Sequence, residues 1–170
     1  AHTAIYNVSH YLPRAVKNGK DMDAREKVAF ANSLSGTVMC VGTCTAEHSL
    51  EHALSAYHQV LPHGAGLIMI SKAYYSCLIR KHSCDERFVH MAKIMGMENA
   101  SKPEDFITML VRLQEDCGVA DLKMSDYGIQ QNEFEDMVKN AKGCMSMLFD
   151  CERLPLTDED CIRIYRESYK

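Results

Sequence analysis

The chain has 170 residues, of which 46% are hydrophobic and 25% charged, and its formal net charge is −4 with histidine neutral. This length suits one domain and is enough to bury a core. The negative charge, together with the lack of a basic stretch interleaved with aromatic residues, predicts no nucleic-acid partner. The longest apolar run, residues 65–70, is far shorter than the roughly 20 residues of a membrane span, so no membrane partner is expected.

The eight cysteines are spread through helix-like segments, and none forms a Cys-x-x-Cys pair. The first residues do not have the pattern of a signal peptide, so we expect none. We therefore expect reduced thiols in a cytoplasmic protein.

The first part of the chain predicts two helices. Apolar residues recur with the 3.6-residue helical period over residues 1–16, although Pro13 should kink this helix or end it early. Asn18-Gly19 is a stop signal, and the acidic residues that follow favour the start of a second helix running toward Gly42.

A third helix is predicted over residues 45–58, followed by a loop at 61–64, where Pro62 and Gly64 interrupt the pattern. The most apolar stretch, residues 65–79, then predicts a buried helix.

Later helices are predicted from their capping signals, since Ser, Thr and Asn accept hydrogen bonds from the first free backbone N–H groups of a helix. The expected starts are Ser83 with Glu86, Ser101 with Glu104, Asn132 with Glu135, and Thr157, and the expected terminators are Gly96, Gly118 and Gly128.

No segment has clean strand alternation, so the sequence predicts an all-α fold of seven or eight helices. We expect a single domain over residues 1–170, with residues 126–170 as a candidate small C-terminal lobe.

Three histidines carry the candidate chemistry. His48 and His52 stand four residues apart in a predicted helix, so their rings share one face. His63 lies between Pro62, which restricts the backbone, and Gly64, which should allow a tight turn back toward His48. Imidazole suits divalent zinc, iron, nickel and copper. From spacing alone the alternative remains that these are ordinary surface or core histidines.

A carboxylate at helical spacing from a histidine would complete such a site. The chain contains no Asp-x-x-x-His, and Glu86 with His90 is interpreted as an exposed helix pair. Glu47 and Glu51 flank the histidines but are expected to point away from their shared face.

Residues 47–57, followed by Leu61-Pro62-His63-Gly64, resemble the signature of the iron-containing (group III) alcohol dehydrogenases. That signature has a histidine, another four residues later, and then Pro-His-Gly. Four further segments resemble the family's other helices in the same order: residues 11–16, 24–26, 127–129 and 156–160. The resemblance therefore spans essentially the whole chain.

The resemblance implies an α/β domain that binds NAD(P) and a C-terminal all-helical bundle of the dehydroquinate synthase-like kind, part of which is this chain. It implies one Fe2+ held by one Asp and three His, and we expect Zn2+ or Ni2+ as substitutes because imidazole also binds them. His48 and His63 match two of these ligands. His52 matches a histidine near the substrate that is assigned to proton relay. The implied reaction interconverts alcohols with aldehydes or ketones.

The family's Asp-x-x-x-His and its Gly-rich nucleotide-binding segment are not found in these 170 residues, and His48 and His63 lie 15 residues apart, one more than in several members. We therefore expect this chain alone to be inactive and to need the N-terminal nucleotide-binding domain as a partner. Self-association into a homo-oligomer is also expected. The alternative function is a helical metal-binding or interaction module without catalysis.

Overall fold

The computed structural model describes residues 1–170 and contains helices and no β-strand, which confirms the all-α prediction. The helices are α1 (His2–Lys17), α2 (Met22–Val41), α3 (Ala46–Tyr57), α4 (His63–Arg80), α5 (Asp85–Ile94), α6 (Glu104–Asp116), α7 (Phe134–Cys144), α8 (Ser146–Asp150) and α9 (Asp158–Ser168), with 3₁₀ turns at Met124–Tyr127 and Gln131–Glu133.

Several of the predicted helix boundaries are confirmed. Thr157 caps α9, because its hydroxyl accepts from the Asp160 N–H at 3.1 Å while the Asp160 carboxylate accepts from the Thr157 N–H at 3.0 Å. The three predicted terminator glycines all have positive φ, which only glycine adopts without strain.

Other boundaries differ from the prediction. Pro13 lies inside α1 without ending it, and the helix continues to Lys17. The residues that precede α5 and α6 are Cys84 and Pro103 rather than Ser83 and Ser101.

Before two later helices, the side chain that accepts from the free backbone N–H groups is not the predicted one. Before α6, the Asp105 carboxylate accepts from the Ser101 N–H at 2.8 Å and the Lys102 N–H at 3.1 Å. Before α7, Glu133 accepts from the Gln130 N–H at 2.7 Å, in place of the predicted Asn132 box.

The chain divides into two compact units. The first contains residues 1–43 and 84–120, and therefore α1, α2, α5 and α6. Small residues such as Ala24 and Ala31 are fully buried where α1 and α2 pack, which lets the two backbones approach closely. Phe88 and Phe106 join α5 to α6, with ring centroids 5.3 Å apart.

The second unit contains residues 44–83 and 121–170 and forms its core from α3, α4, α7 and α9. Leu50, Ile70 and Ile164 are fully buried in it. The hydroxyl of buried Tyr165 donates to the Leu50 carbonyl at 2.7 Å, which ties α9 to α3. Residues 126–170 lie in this unit, and the single-domain organisation remains a prediction.

No individual helix is both long enough and apolar enough to cross a membrane; only α2 and α3, taken together as a broken pair, meet that length and composition test.

Asp160 provides a pH-dependent link within the second unit. Its carboxylate contacts the Lys81 ammonium at 2.6 Å. Partial burial opposes ionisation, but the hydrogen bonds from Lys81 and Thr157 outweigh it and lower the pKa of Asp160 below 3.8. A lowered carboxyl pKa stabilises the fold above the unfolded value, and this stabilisation is lost as pH falls.

We predict that Asp160→Asn lowers the free energy of unfolding at pH 7 by about 1 kcal/mol. The difference from wild type should shrink as pH falls below 3.8 and through the folded pKa. Urea unfolding followed by circular dichroism at several pH values measures this. Asp136→Asn is the control, because the Asp136–Lys139 pair at 3.0 Å is exposed and should contribute little. A pH-independent difference would contradict the prediction.

Candidate metal centre

Two helices of the second unit bring three histidines together. His48 and His52 lie one turn apart on α3, and His63 is the first residue of α4. The ring centroid of His63 is 5.6 Å from that of His48 and 5.2 Å from that of His52. Two imidazoles bound to one ion, each with a metal–nitrogen distance of about 2.1 Å, have ring centres roughly 5 Å apart. The distances from the His63 ring to each of the other two rings therefore suit ligands of a shared ion.

The environment of His48 favours its neutral form. Partial burial, together with the neighbouring His63 and His52, lowers the pKa of His48, and Glu51 opposes this effect. Neutral imidazole is the form that binds a metal. The side chains of His52 and His63 are exposed, so the cluster is open to a ligand on one side.

The turn before His63 is made differently from the prediction. Pro62 precedes α4 in an extended conformation, with φ −66° and ψ 133°. Gly64 is an ordinary helical residue in the first turn of α4, with open space where a Cβ would be. The helix begins at His63 rather than at residue 65, and Gly64 makes no tight turn.

The prediction that Glu51 points away from the histidines is wrong. Its carboxylate is fully buried and accepts a hydrogen bond from the Nδ1–H of His63. Glu51, His52 and His63 each place one potential ligand atom within 4.8 Å of the others, and this group does not include His48, whose ring approaches His63 with centroids 5.6 Å apart. Helical spacing on α3 could not show this contact, because His63 reaches Glu51 only after the chain has turned into α4.

Glu47 occupies a separate environment beside the N-terminus of α3. Its buried carboxylate accepts from the Tyr75 hydroxyl at 3.1 Å. Burial raises the pKa of Glu47 to about 7, opposed by the Tyr75 hydrogen bond and reinforced by the nearby Glu152 charge. Its hydrogen-bond partner is thus a tyrosine and not a histidine of the cluster, in keeping with the expectation that Glu47 points away from the histidines.

His52 has a partner outside the cluster. Its Nδ1 lies 2.9 Å from the sulfur of Met145, a weak acceptor. This contact favours the tautomer with the proton on Nδ1, which leaves Nε2 with its lone pair.

The start of α3 is held by an acidic side chain from a distant segment. Thr45 precedes α3 without capping it through its own side chain. Instead the Glu152 carboxylate accepts from the Ala46 N–H at 3.0 Å and from the Tyr74 hydroxyl. Tyr74 also lies 2.8 Å from the Thr45 hydroxyl. This network orients the helix that carries His48 and His52.

The model of the Fe-containing alcohol dehydrogenase family, C-terminal region, matches residues 1–169. The chain belongs to this family. Iron is therefore the metal implied, and a set of three imidazoles with a buried carboxylate behind one of them fits a divalent transition metal.

Curated relatives agree with this assignment. The NAD-dependent methanol dehydrogenase of Bacillus methanolicus is 28% identical over 143 residues, covering 81% of this chain and 36% of the relative. The long-chain primary alcohol dehydrogenase of Thermoanaerobacter ethanolicus is 25% identical over 171 residues, covering 99% of this chain and 43% of the relative. The chain thus spans less than half the length of these relatives.

Solved structures show the same helical fold. An archaeal alcohol dehydrogenase from a Red Sea brine pool superposes with a TM-score of 0.90 at 26% identity, covering 98% of this chain and 43% of that one. The alcohol dehydrogenase from Oenococcus oeni gives a TM-score of 0.85 at 27% identity, covering 99% of this chain and 44% of that one.

We predict that Glu152→Ala lowers the free energy of unfolding by about 2 kcal/mol, because the Ala46 N–H and the Tyr74 hydroxyl lose their acceptor. Glu152→Gln keeps an oxygen at this position and should cost under about 1 kcal/mol. Urea unfolding of both variants measures the difference. An unchanged Glu152→Ala protein would contradict the capping role.

Proposed function

We propose that this chain is the metal-holding part of an iron-dependent alcohol dehydrogenase that interconverts alcohols and aldehydes or ketones with NAD(P). The observation that carries the proposal is the convergence of His48, His52 and His63, with ring centroids 5.2 to 6.3 Å apart. Family membership over residues 1–169 supports the reaction class.

The three histidines have two different roles in this proposal. His48 and His63 hold the metal, and a bound divalent iron supplies Lewis acidity toward the oxygen of the alcohol or carbonyl. His52 exchanges a proton at Nε2, the nitrogen that its contact with Met145 leaves free.

The substrate is proposed to be a small alcohol or its aldehyde. Related proteins carry the names methanol dehydrogenase and 1,3-propanediol dehydrogenase. Because the chain spans less than half of such relatives, the NAD(P) site is proposed to lie in a nucleotide-binding domain outside these residues. Hydride transfer needs a bound nicotinamide, so these 170 residues alone should have no dehydrogenase activity.

Metal binding tests the role of the two proposed ligands. Titration of the 170-residue chain with Co2+ or Zn2+ should show weak binding, and His48→Ala and His63→Ala should each reduce the affinity at least tenfold. Zn2+ and Ni2+ should substitute for Fe2+ because all bind imidazole.

His10→Ala is the matched control, since His10 lies on α1 in the other unit and should not contribute. Equal affinities in wild type and both cluster variants would rule out His48 and His63 as a ligand pair.

Activity of the isolated chain provides a second prediction. Purified protein with Fe2+, NADH or NADPH and simple aldehydes should oxidise no cofactor above background, because hydride transfer requires a nicotinamide held against the substrate. Absorbance at the reduced-nicotinamide band measures this. Turnover would overturn the proposal that the nucleotide site lies outside these residues.

A second candidate function is a helical interaction module without catalysis. Large apolar side chains are exposed on α2, among them Met22, Phe30 and Val41. Exposed apolar surface favours association, so self-association into a homo-oligomer is part of this candidate. Light scattering over a range of concentrations tests it, and a monomer at every concentration would contradict it.

A further inference from the structure

Glu51 is a buried carboxylate with both oxygens hydrogen-bonded. Oε2 accepts from His63 Nδ1, and Oε1 accepts from the Ser55 hydroxyl one turn further along α3. The Glu51 side chain has no exposed surface, whereas that of His63 is 50% exposed. A buried charge is costly unless its hydrogen bonds are satisfied, and these two donors satisfy it.

Gly66 provides the space that this carboxylate occupies. A Cβ added at Gly66 would lie 2.7 Å from both the Cγ and the Oε1 of Glu51, closer than real Cβ contacts. At Gly64, two residues earlier in the same helix, an added Cβ would meet nothing within 4 Å. Residue 66 therefore needs to be glycine because Glu51 occupies the space that a Cβ would take, and residue 64 has no such constraint.

The contact determines which nitrogen of His63 can bind a metal. An ionised carboxylate only accepts hydrogen bonds, so the proton of a neutral His63 must be on Nδ1. Nε2 then keeps its lone pair on the exposed side chain. Histidines that bind metals commonly donate their other N–H to a carboxylate in this way, which orients the ring and makes it more basic.

We propose that Glu51, held by Ser55 and accommodated by Gly66, is a positioning residue that keeps His63 as the Nδ1–H tautomer with Nε2 directed to a divalent cation. This inference rests on the proposed role of His48 and His63 as metal ligands. Glu51 acts through His63 and does not bind the ion itself.

The alternative is that Glu51 is a ligand, because its carboxylate, His52 and His63 have potential ligand atoms within 4.8 Å of one another. Ligation by Oε2 would compete with the hydrogen bond from His63. The two roles differ in what Glu51→Gln does. Glutamine retains an oxygen that accepts from Nδ1–H, but it removes an anionic ligand.

The first measurement reads the tautomer of His63 in the metal-free 170-residue chain, from two-bond 15N–1H correlations of the imidazole rings. Wild type and Glu51→Gln should show His63 protonated on Nδ1, and Glu51→Ala should shift the population toward Nε2–H. An Nε2–H ring in wild type, or no change in Glu51→Ala, would overturn the proposal.

The second measurement is Co2+ affinity, followed by the visible absorption of the bound ion. Glu51→Ala should bind about 10- to 100-fold more weakly than wild type, as expected on losing the partner of a metal-bound histidine. Glu51→Gln should retain affinity within about tenfold. A Glu51→Gln protein as weak as Glu51→Ala would overturn the positioning role in favour of ligation.

Matched variants separate these effects from loss of folding. Glu47→Gln removes another buried acid of α3 that contacts Tyr75, and it should leave the His63 tautomer unchanged.

Gly66→Ala should displace the Glu51 carboxylate and shift the His63 tautomer with Glu51 still present, whereas Gly64→Ala should not. If Glu51→Ala does not fold by circular dichroism, the two glycine variants decide the question, and identical spectra for them would overturn the proposal.

The two readouts also distinguish this inference from the proposed function. If wild type binds no Co2+ in a way that depends on His63, the proposed metal site fails, while the metal-free tautomer still reports on Glu51. If Co2+ binding depends on His63 but is unaffected by Glu51→Ala, the positioning role fails and the metal site remains.

Discussion

The hydrogen bond between the Glu51 carboxylate and His63 Nδ1 joins α3 to the start of α4 across the loop between them. It holds an exposed imidazole against a buried group, so the position of the ring depends on the packed interior. Gly66 leaves the space for the carboxylate, and Ser55 occupies its other oxygen. The candidate centre thus depends on one buried charge with specific partners, a type of interaction that is costly to leave incomplete.

The rest of the second unit keeps α3 in place for this contact. Glu152 accepts from the N-terminus of the helix, and Tyr165 donates to the carbonyl of Leu50 in its middle. These bonds come from segments about one hundred residues later in the chain. His48 and His52 can therefore be held in a defined geometry, since most of the other residues of α3 are buried.

Helix positions were largely predictable because they follow from local chemistry. The 3.6-residue period, the Thr157 cap and the terminator glycines each act within a few residues. The starts of α5, α6 and α7 were misplaced by one to a few residues. Before α6 the predicted cap has a competitor in Asp105, whose carboxylate accepts from two of the free N–H groups. Pro13 did not end α1, as packing within a helical unit can offset one lost hydrogen bond.

The sequence by itself determined the all-helical class, the family resemblance, and the grouping of His48 and His52 on one face, since all of these depend on order and local spacing. Only the tertiary structure decided where Glu51 points and why residue 66 is glycine. The turn between α3 and α4 sets which face of one helix meets the other, and residues 51 and 66 come into contact through that crossing rather than through any helical repeat.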